Sequence, residues 1–178
     1  MMLLVAWLLY SIRLGAALAL ALLAMQAPAV TREYQSALLQ LVRSSDQEIA
    51  QRKSSAQHYY GISPGGDEKR FLAQLRAVEP SNAETLAASL ELEHSLQESY
   101  HRIAQAPDLL RPIVAAKDVA AHEEGPRHQI ARTVLDSFVP QLDLSFASAI
   151  YGLAGLFLGS LLGEILIATI IPQRRLAG

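Results

Sequence analysis

Two long apolar runs frame this chain, and a polar stretch separates them. The first run covers residues 1–29, and the second covers residues 144–171 with Glu164 as its one charged residue. A helix needs about 20 apolar residues to cross a bilayer, so each run is long enough to do so. We therefore predict two transmembrane helices. Residues 30–143 lie between them, and a short basic tail, residues 172–178, follows the second.

Within the polar middle, apolar residues recur every three or four positions, which is typical of helices and not of strands. Prolines and glycines divide this part into four or five expected helices. The predicted fold class is all-α: an integral membrane protein with two transmembrane helices and an intervening helical bundle. We expect Ser81 and Glu84 to form a capping box that begins one of these helices. The expected helices cover residues 31–58, 67–78, 81–105, a segment that Asp108 caps, and 127–138.

The second apolar run carries small residues on one narrow face. At about 100° per residue, these positions share one side of a helix, and small residues let a second helix approach closely in lipid. Two interpretations stay open: the face packs against the first transmembrane helix of the same chain, or it packs against another copy or another protein. The residues of this face are Ser145, Ser148, Gly152, Gly155, Gly159 and Gly163.

Both predicted spans contain a charged residue. Arg13 lies either at mid-membrane depth or at the cytoplasmic surface, with the span beginning near Leu14. Glu164 lies on a different side of its helix from the small residues. An acid inside a membrane is a functional candidate, but Glu164 could instead reach the headgroups or pair with Arg13 from an antiparallel first span.

The distribution of charged residues indicates how the chain is oriented in a membrane and argues against nucleic acid as a partner. Mean hydropathy is +0.21, and the middle region holds 12 Lys and Arg against 16 Asp and Glu. This acidic balance argues against nucleic acid, which requires a basic patch. We interpret the first run as a retained helix, because a signal peptide would begin with a charged region. Arg174 and Arg175 favour cytoplasmic termini and a periplasmic middle region in a bacterial inner membrane.

One predicted helix carries two Glu-x-x-His pairs, Glu91 with His94 and Glu98 with His101. This spacing occurs in di-iron bundles, where each motif comes from a different helix. Here both pairs lie on one helix, opposite an apolar side that includes Leu92. We interpret them as an exposed polar face, with a surface metal site, for example zinc, as the alternative.

Further candidate chemistry is sparse. A second cluster of histidines and acidic residues is interrupted by a Gly-Pro pair, and we interpret it as a charged turn. The chain has no cysteine, so it offers no thiolate ligand or disulfide, and no nucleophile–base constellation is apparent. We expect no enzymatic activity and no cofactor. That second cluster comprises His122, Glu123, Glu124 and His128.

Short motifs lie at the predicted spans. Gln26-x-Pro28, followed by Tyr34, comes after the first span, Phe138-x-Pro140 precedes the second, and the second span has spaced glycines at Gly152, Gly155 and Gly159. In these motifs the chain resembles a bacterial family of two-span membrane proteins known as domain of unknown function 2937. Asp143 stands where the family pattern would have a further proline. The resemblance implies an inner-membrane protein without assigned activity, and it supplies no catalytic residues.

Three functional hypotheses follow. The first is a non-enzymatic accessory or structural subunit of a larger inner-membrane complex, with the bilayer and other membrane subunits or a second copy as partners. The second is a periplasmic sensory or ligand-binding module that signals through a partner. The third is a metal-binding protein that uses the Glu and His face.

Overall fold

A computed structural model of the protein describes residues 2–65, 67–121, 125–141 and 145–170, and these residues form seven helices and no strand. The all-α prediction is confirmed. The helices are α1 (Met2–Met25), α2 (Ala27–Tyr60), α3 (Glu68–Val78), α4 (Pro80–Gln105), α5 (Arg111–Ala120), α6 (Pro126–Ser137) and α7 (Phe146–Ile170). The predicted basic tail, residues 172–178, lies outside the described residues, as do Gly66, His122–Glu124, residues 142–144 and Ile171.

Prolines set where four of the helices begin. Pro80 and Pro126 are the first residues of α4 and α6, and Pro28 and Pro112 are the second residues of α2 and α5. Proline suits the first helical turn because the amide hydrogen it lacks would have no partner within the helix. The break between the first two helices therefore falls at Gln26, just before Pro28. Pro112 lies in a first turn and does not kink a helix.

Three local predictions were wrong. Glu79, and not Ser81, precedes the first residue of α4, because Pro80 starts that helix two positions earlier than the capping box requires. Leu92 is 38% exposed and not part of the α4 core; the partly buried Leu90 packs there instead. Asp108 lies in the turn before α5, where it pairs with Arg111 at 2.9 Å, two residues too early to cap the helix.

The chain divides into two compact units. The first comprises Met1–Arg32, Pro107–Pro112 and Ser137–Gly178, and the second comprises Glu33–Ala106 and Ile113–Asp136. The first unit contains the two long apolar helices together with the turn at Pro107–Pro112. That turn is joined to the unit by a hydrogen bond of 2.7 Å from the Tyr151 hydroxyl to the Leu109 carbonyl oxygen.

In the first unit, α1 and α7 pack side by side and run antiparallel. Met25 contacts Gly152 at one end of the contact, and Arg13 contacts Gly163 at the other. Two helical stretches are long and apolar enough to cross a membrane: Leu9–Tyr60, which joins α1 and α2, and Phe146–Thr169. Only 22% of the most apolar part of each is buried within the protein, whereas the core helix of a soluble protein would be mostly buried.

The described residues of the second unit form helices joined by short segments, and they contain two apolar clusters. One involves α2, α3 and α4 and the segment between the first two of these, and the other involves α2, α4 and α5 with support from α6. Burial of this apolar surface is the main force that holds the helices together. The buried members are Ile49, Ala56, Ile62, Phe71, Leu75, Ala83 and Leu86 in the first cluster, and Tyr34, Leu38, Val42, Leu96, Ile103 and Ala115 in the second.

Candidate functional site

The small-residue face of α7 lies against α1 of the same chain. A methyl group in place of the Gly155 hydrogen would lie 2.5 Å from the Leu20 carbonyl oxygen, and one at Gly159 would lie 2.6 Å from the Ala17 Cα. Both distances are to backbone atoms, which cannot move aside cheaply. The structure therefore supports the interpretation in which this face packs against the first helix of the same chain. The central glycines of the face are covered by α1.

At the ends of this contact, α7 meets side chains. Replacement of Gly152 would bring a methyl group within 2.6 Å of the Met25 Cγ, and at Gly163 the nearest atom would be the Arg13 Cγ at 3.0 Å. Ser148 is fully buried, and its hydroxyl lies 2.9 Å from that of Ser145. Ser145 also accepts a hydrogen bond from the Ser148 amide at 3.2 Å, which is the pattern of a helix N-cap.

Arg13 and Glu164 form an ion pair at the edge of the α1–α7 contact. The Arg13 Nη2 lies 2.7 Å from the Glu164 Oε1. This is the pairing with an antiparallel first span that was one alternative for Glu164. The side chains are 39% and 56% exposed, respectively, so the pair is not enclosed between the two helices.

The pair is also far from the end of α1. Arg13 precedes Met25 by twelve residues, which corresponds to about 18 Å along a helix. The hydrocarbon core of a bilayer is about 30 Å thick. If Met25 and Gly152 lie near one membrane surface, the ion pair lies within the hydrocarbon. The sequence also allowed Arg13 to lie at the cytoplasmic surface. In that case Met25 would have to lie deeper in the membrane.

The second unit contains a buried polar cluster around Asp118, which sequence reasoning missed. Asp118 is 2% exposed. Its Oδ1 accepts a hydrogen bond of 2.9 Å from the Ser99 hydroxyl, and its Oδ2 accepts one of 3.2 Å from the Tyr34 hydroxyl. Burial raises the pKa of Tyr34, and the negative charge of Asp118 raises it further. Tyr34 therefore keeps its proton and remains a donor.

Two arginines balance the charge of Asp118. Arg102 and Arg127 each place Nη1 3.6 Å from the Asp118 Oδ1. The Arg127 side chain is buried, and its Nη2 donates hydrogen bonds to the carbonyl oxygen and the hydroxyl of Ser95, at 2.8 and 2.6 Å. Within the described residues, every buried side-chain nitrogen and oxygen has a partner.

This cluster can hold helices together. Its members come from α2 (Tyr34), α4 (Ser95, Ser99 and Arg102), α5 (Asp118) and α6 (Arg127). One carboxylate thus links four helices. The signal in the sequence was a charge within an apolar stripe: Arg127 precedes Ile130, Ala131 and Val134 at helical spacing.

The Glu and His face of α4 is exposed, as predicted. The His94 Nε2 lies 3.3 Å from the Glu98 Oε1, and Glu91 and His101 are also exposed. Across the described part of the chain, no group of three or more histidine or acidic residues is placed to hold a metal ion. The helix borders an open depression of about 490 Å³. Its lining residues are His94, Gln97, Glu98, His101, Arg102 and Gln105.

The second predicted cluster of acidic residues and histidines lies mostly outside the described residues. His122, Glu123 and Glu124 lie outside the described residues, and His128 is on α6. A different aromatic and acidic contact links the end of α2 to the residue before α4: the Tyr60 hydroxyl donates a hydrogen bond of 3.0 Å to the Glu79 Oε2. This contact is on the surface, and it supports the chain reversal around α3.

Comparison with known proteins identifies the family. The chain belongs to the DUF2937 family, described as proteins of unknown function, whose family model matches residues 8–176. This match confirms the resemblance seen in the sequence. No curated protein and no solved structure matches the chain.

Proposed function

We propose that this member of the family is a non-enzymatic accessory or structural subunit of a bacterial inner-membrane protein complex. The observation that carries the proposal is the half-exposed Arg13–Glu164 pair between α1 and α7, where α1 already covers the glycine face of α7. Charged residues within membranes are costly, and they ordinarily face the interior of a helix bundle or a water-filled cavity. A pair left at the edge of two helices therefore favours a further helix beside it.

The rest of the chain is consistent with a structural role. The buried network around Asp118 satisfies its own members, and two arginines balance its carboxylate. A satisfied buried network of this kind stabilises one arrangement of helices. In this proposal the second unit is a rigid outer domain, and its partner contacts it, the membrane helices or both.

The proposed location is the inner membrane, with both termini in the cytoplasm and residues 30–143 in the periplasm. Arg174 and Arg175 follow the second apolar run after Pro172 and Gln173, and short basic flanks stay on the cytoplasmic side. The chain has no cysteine, so a single introduced cysteine reports its own location. Ser55→Cys should react with a membrane-impermeant maleimide added to the periplasm. Ala177→Cys should react only after the inner membrane is made permeable.

The decisive experiment on function is purification of tagged protein in a mild detergent or in native-lipid particles, with identification of what co-elutes. A subunit should bring a membrane protein with it at fixed stoichiometry. Glu164→Gln should weaken this association, whereas Glu98→Gln, which alters an exposed acid of α4, should not. A monomer that retains no protein partner in native lipid would contradict the subunit proposal.

A second candidate function is a ligand-binding module, and the open depression on α4 favours it. Its lining combines basic side chains, among them Arg102 and His101, with the acid Glu98, and this mixture suits a small zwitterion. A thermal-shift screen of amino acids and related zwitterions would test this function. It predicts a ligand that raises the melting temperature of the parent protein, with a smaller effect in His101→Ala. The absence of any such ligand would weigh against it.

A further inference from the structure

We propose that two copies of this chain associate in the membrane through the α7 face that carries Glu164, so that Arg13 of each copy pairs with Glu164 of the other. The inference rests on the proposed function, because it requires α1 and α7 to lie in a bilayer. It goes further by naming the partner: a second copy of the chain.

The face is an exposed ridge on α7. Leu153, Phe157, Leu161 and Glu164 lie within about 80° of one another around the helix, given about 100° per residue. The three apolar side chains are 59%, 76% and 55% exposed. Exposed apolar residues are ordinary in lipid and do not by themselves indicate a partner. The charge distinguishes this ridge, because lipid cannot solvate Glu164 or the guanidinium beside it.

Charge complementarity favours a second copy as the occupant. Arg13 and Glu164 present one positive and one negative group next to each other at the edge of the helix pair. A two-fold axis parallel to the membrane normal would bring the arginine of each copy to the glutamate of the other, since such an interface uses the same surface twice. Four alternating charges would then be shared between two copies.

Depth in the membrane gives a second reason. A different protein would need its own opposite charges at the depth of the Arg13–Glu164 pair. An identical chain has the same apolar lengths, so it presents both charges at the matching depth. The glycine face of α7 is occupied by α1. The helix pair is therefore a preformed unit, and the ridge with Glu164 remains available.

The first test is cross-linking in native membranes. Leu161→Cys and Leu162→Cys are a matched pair, because both replace an exposed leucine of α7. Leu161 lies on the ridge, whereas Leu162 lies about 160° from Glu164 around the helix. Under mild oxidation we expect at least about fivefold more dimer from Leu161→Cys, because a disulfide requires close Cβ atoms. Equal yields would overturn the proposed face.

The second test exchanges the charges. Arg13→Glu gives a chain with two acids, and Glu164→Arg gives a chain with two arginines. We expect each variant alone to self-associate about tenfold more weakly than the parent. Co-expression of the two, with different affinity tags, should restore co-purification. Opposite charges can then meet only between copies.

The double variant, Arg13→Glu with Glu164→Arg, controls for insertion and folding. It retains an opposite pair within each chain and the same complementarity between copies, so it should self-associate like the parent. If the double variant dimerises but the two single variants do not rescue each other, the pair acts only within one chain, and the inference is wrong.

The outcomes also separate this inference from the proposed function. A single copy bound to a different membrane protein would overturn the two-copy interface and leave the subunit role in place. A dimer with no other protein would support the interface and contradict the role in a larger complex. A lone monomer in native lipid would contradict both.

Discussion

Tyr34 and Asp118 are 84 residues apart in the sequence, yet the tyrosine hydroxyl donates a hydrogen bond of 3.2 Å to the buried carboxylate. The bond joins α2 to α5, and the other partners of the same carboxylate join α4 and α6 to it. A buried charge is tolerated when it is paired and fully hydrogen-bonded. The helices of the second unit are thus connected through one polar centre as well as through apolar packing.

Removal of the Asp118 carboxylate should strongly destabilise the fold. Asp118→Ala leaves the buried guanidinium of Arg127 without its counter-charge, and breaking a buried pair typically costs about 3–5 kcal/mol. We expect a loss of about 3 kcal/mol in the free energy of unfolding, measured by urea titration of helical circular dichroism in detergent. Asp118→Asn, which keeps the shape and one acceptor, should lose less.

Asp136→Ala is the matched control for this prediction. Asp136 is also an acid of the second unit, but it is exposed, so its replacement should change the free energy of unfolding by less than about 0.5 kcal/mol. Equal effects of the two alanine variants would show that Asp118 does not support the packing.

Tyr34 should make stability depend on pH under alkaline conditions. Burial and then the charge of Asp118 raise the pKa of Tyr34 above its ordinary value of 10.0. The folded state therefore holds this proton more tightly than the unfolded state does. The resulting stabilisation is complete below pH 10.0 and is lost as the pH rises towards the folded-state pKa.

Tyr34→Phe should remove this part of the pH dependence and cost about 1 kcal/mol at neutral pH, the typical value of one hydrogen bond. Urea titrations at several pH values up to about 12 would measure both effects. Tyr59→Phe, at an exposed tyrosine of the same helix, should keep the parental slope. A Tyr34→Phe slope equal to that of the parent would refute the assignment.

The helices could be predicted because their signals are local. Two long apolar runs and a proline at the start of four helices mark most of the boundaries. The error at Ser81 arose because a proline and a capping box competed for the start of α4, and the proline precedes the box by one residue. Leu92 was misplaced because a leucine at the border of an apolar stripe can lie on either side of it.

Some residues of the candidate sites could also be predicted from the sequence, and others could not. The glycine face and the charges at Arg13 and Glu164 could be identified because a small or charged residue is conspicuous in an apolar run. Asp118 could not, because its partners lie on three other helices and their approach depends on how those helices pack. The occupant of the glycine face also depended on tertiary structure, since α1 offers small residues of its own at Ala17 and Ala21.

Substitutions along the glycine face should differ according to what they meet. A methyl group at Gly159 would approach the Ala17 Cα within 2.6 Å, whereas at Gly152 the close atoms, at 2.6 and 3.0 Å, belong to the flexible Met25 side chain. We expect Gly159→Ala to destabilise the helix pair by about 1–3 kcal/mol and Gly152→Ala to cost less. Gly159→Leu should separate the helices.

Gly15→Ala is the control, because the space around that glycine is open. The measurement is the temperature at which the purified variants lose resistance to protease in a mild detergent. Gly15→Ala should match the parent, Gly152→Ala should fall slightly and Gly159→Ala should fall most. The reverse order for the last two would contradict the packing of α1 on α7.

Tyr151 should control the order of the turn at Pro107–Pro112. Its hydroxyl donates a hydrogen bond of 2.7 Å to the Leu109 carbonyl oxygen, and this bond joins the turn to α7. Tyr151→Phe removes the donor and should weaken the attachment by about 1 kcal/mol, because the phenyl ring keeps the apolar contacts. Hydrogen exchange followed by mass spectrometry should then show about fivefold faster exchange in peptides that cover the turn, and no change in peptides from α3.

Tyr60→Phe, which removes a surface hydrogen bond to Glu79, is the matched control and should leave the turn unaffected. If exchange of the turn is the same in Tyr151→Phe and the parent, apolar contacts or other hydrogen bonds hold the turn, and the tyrosine does not.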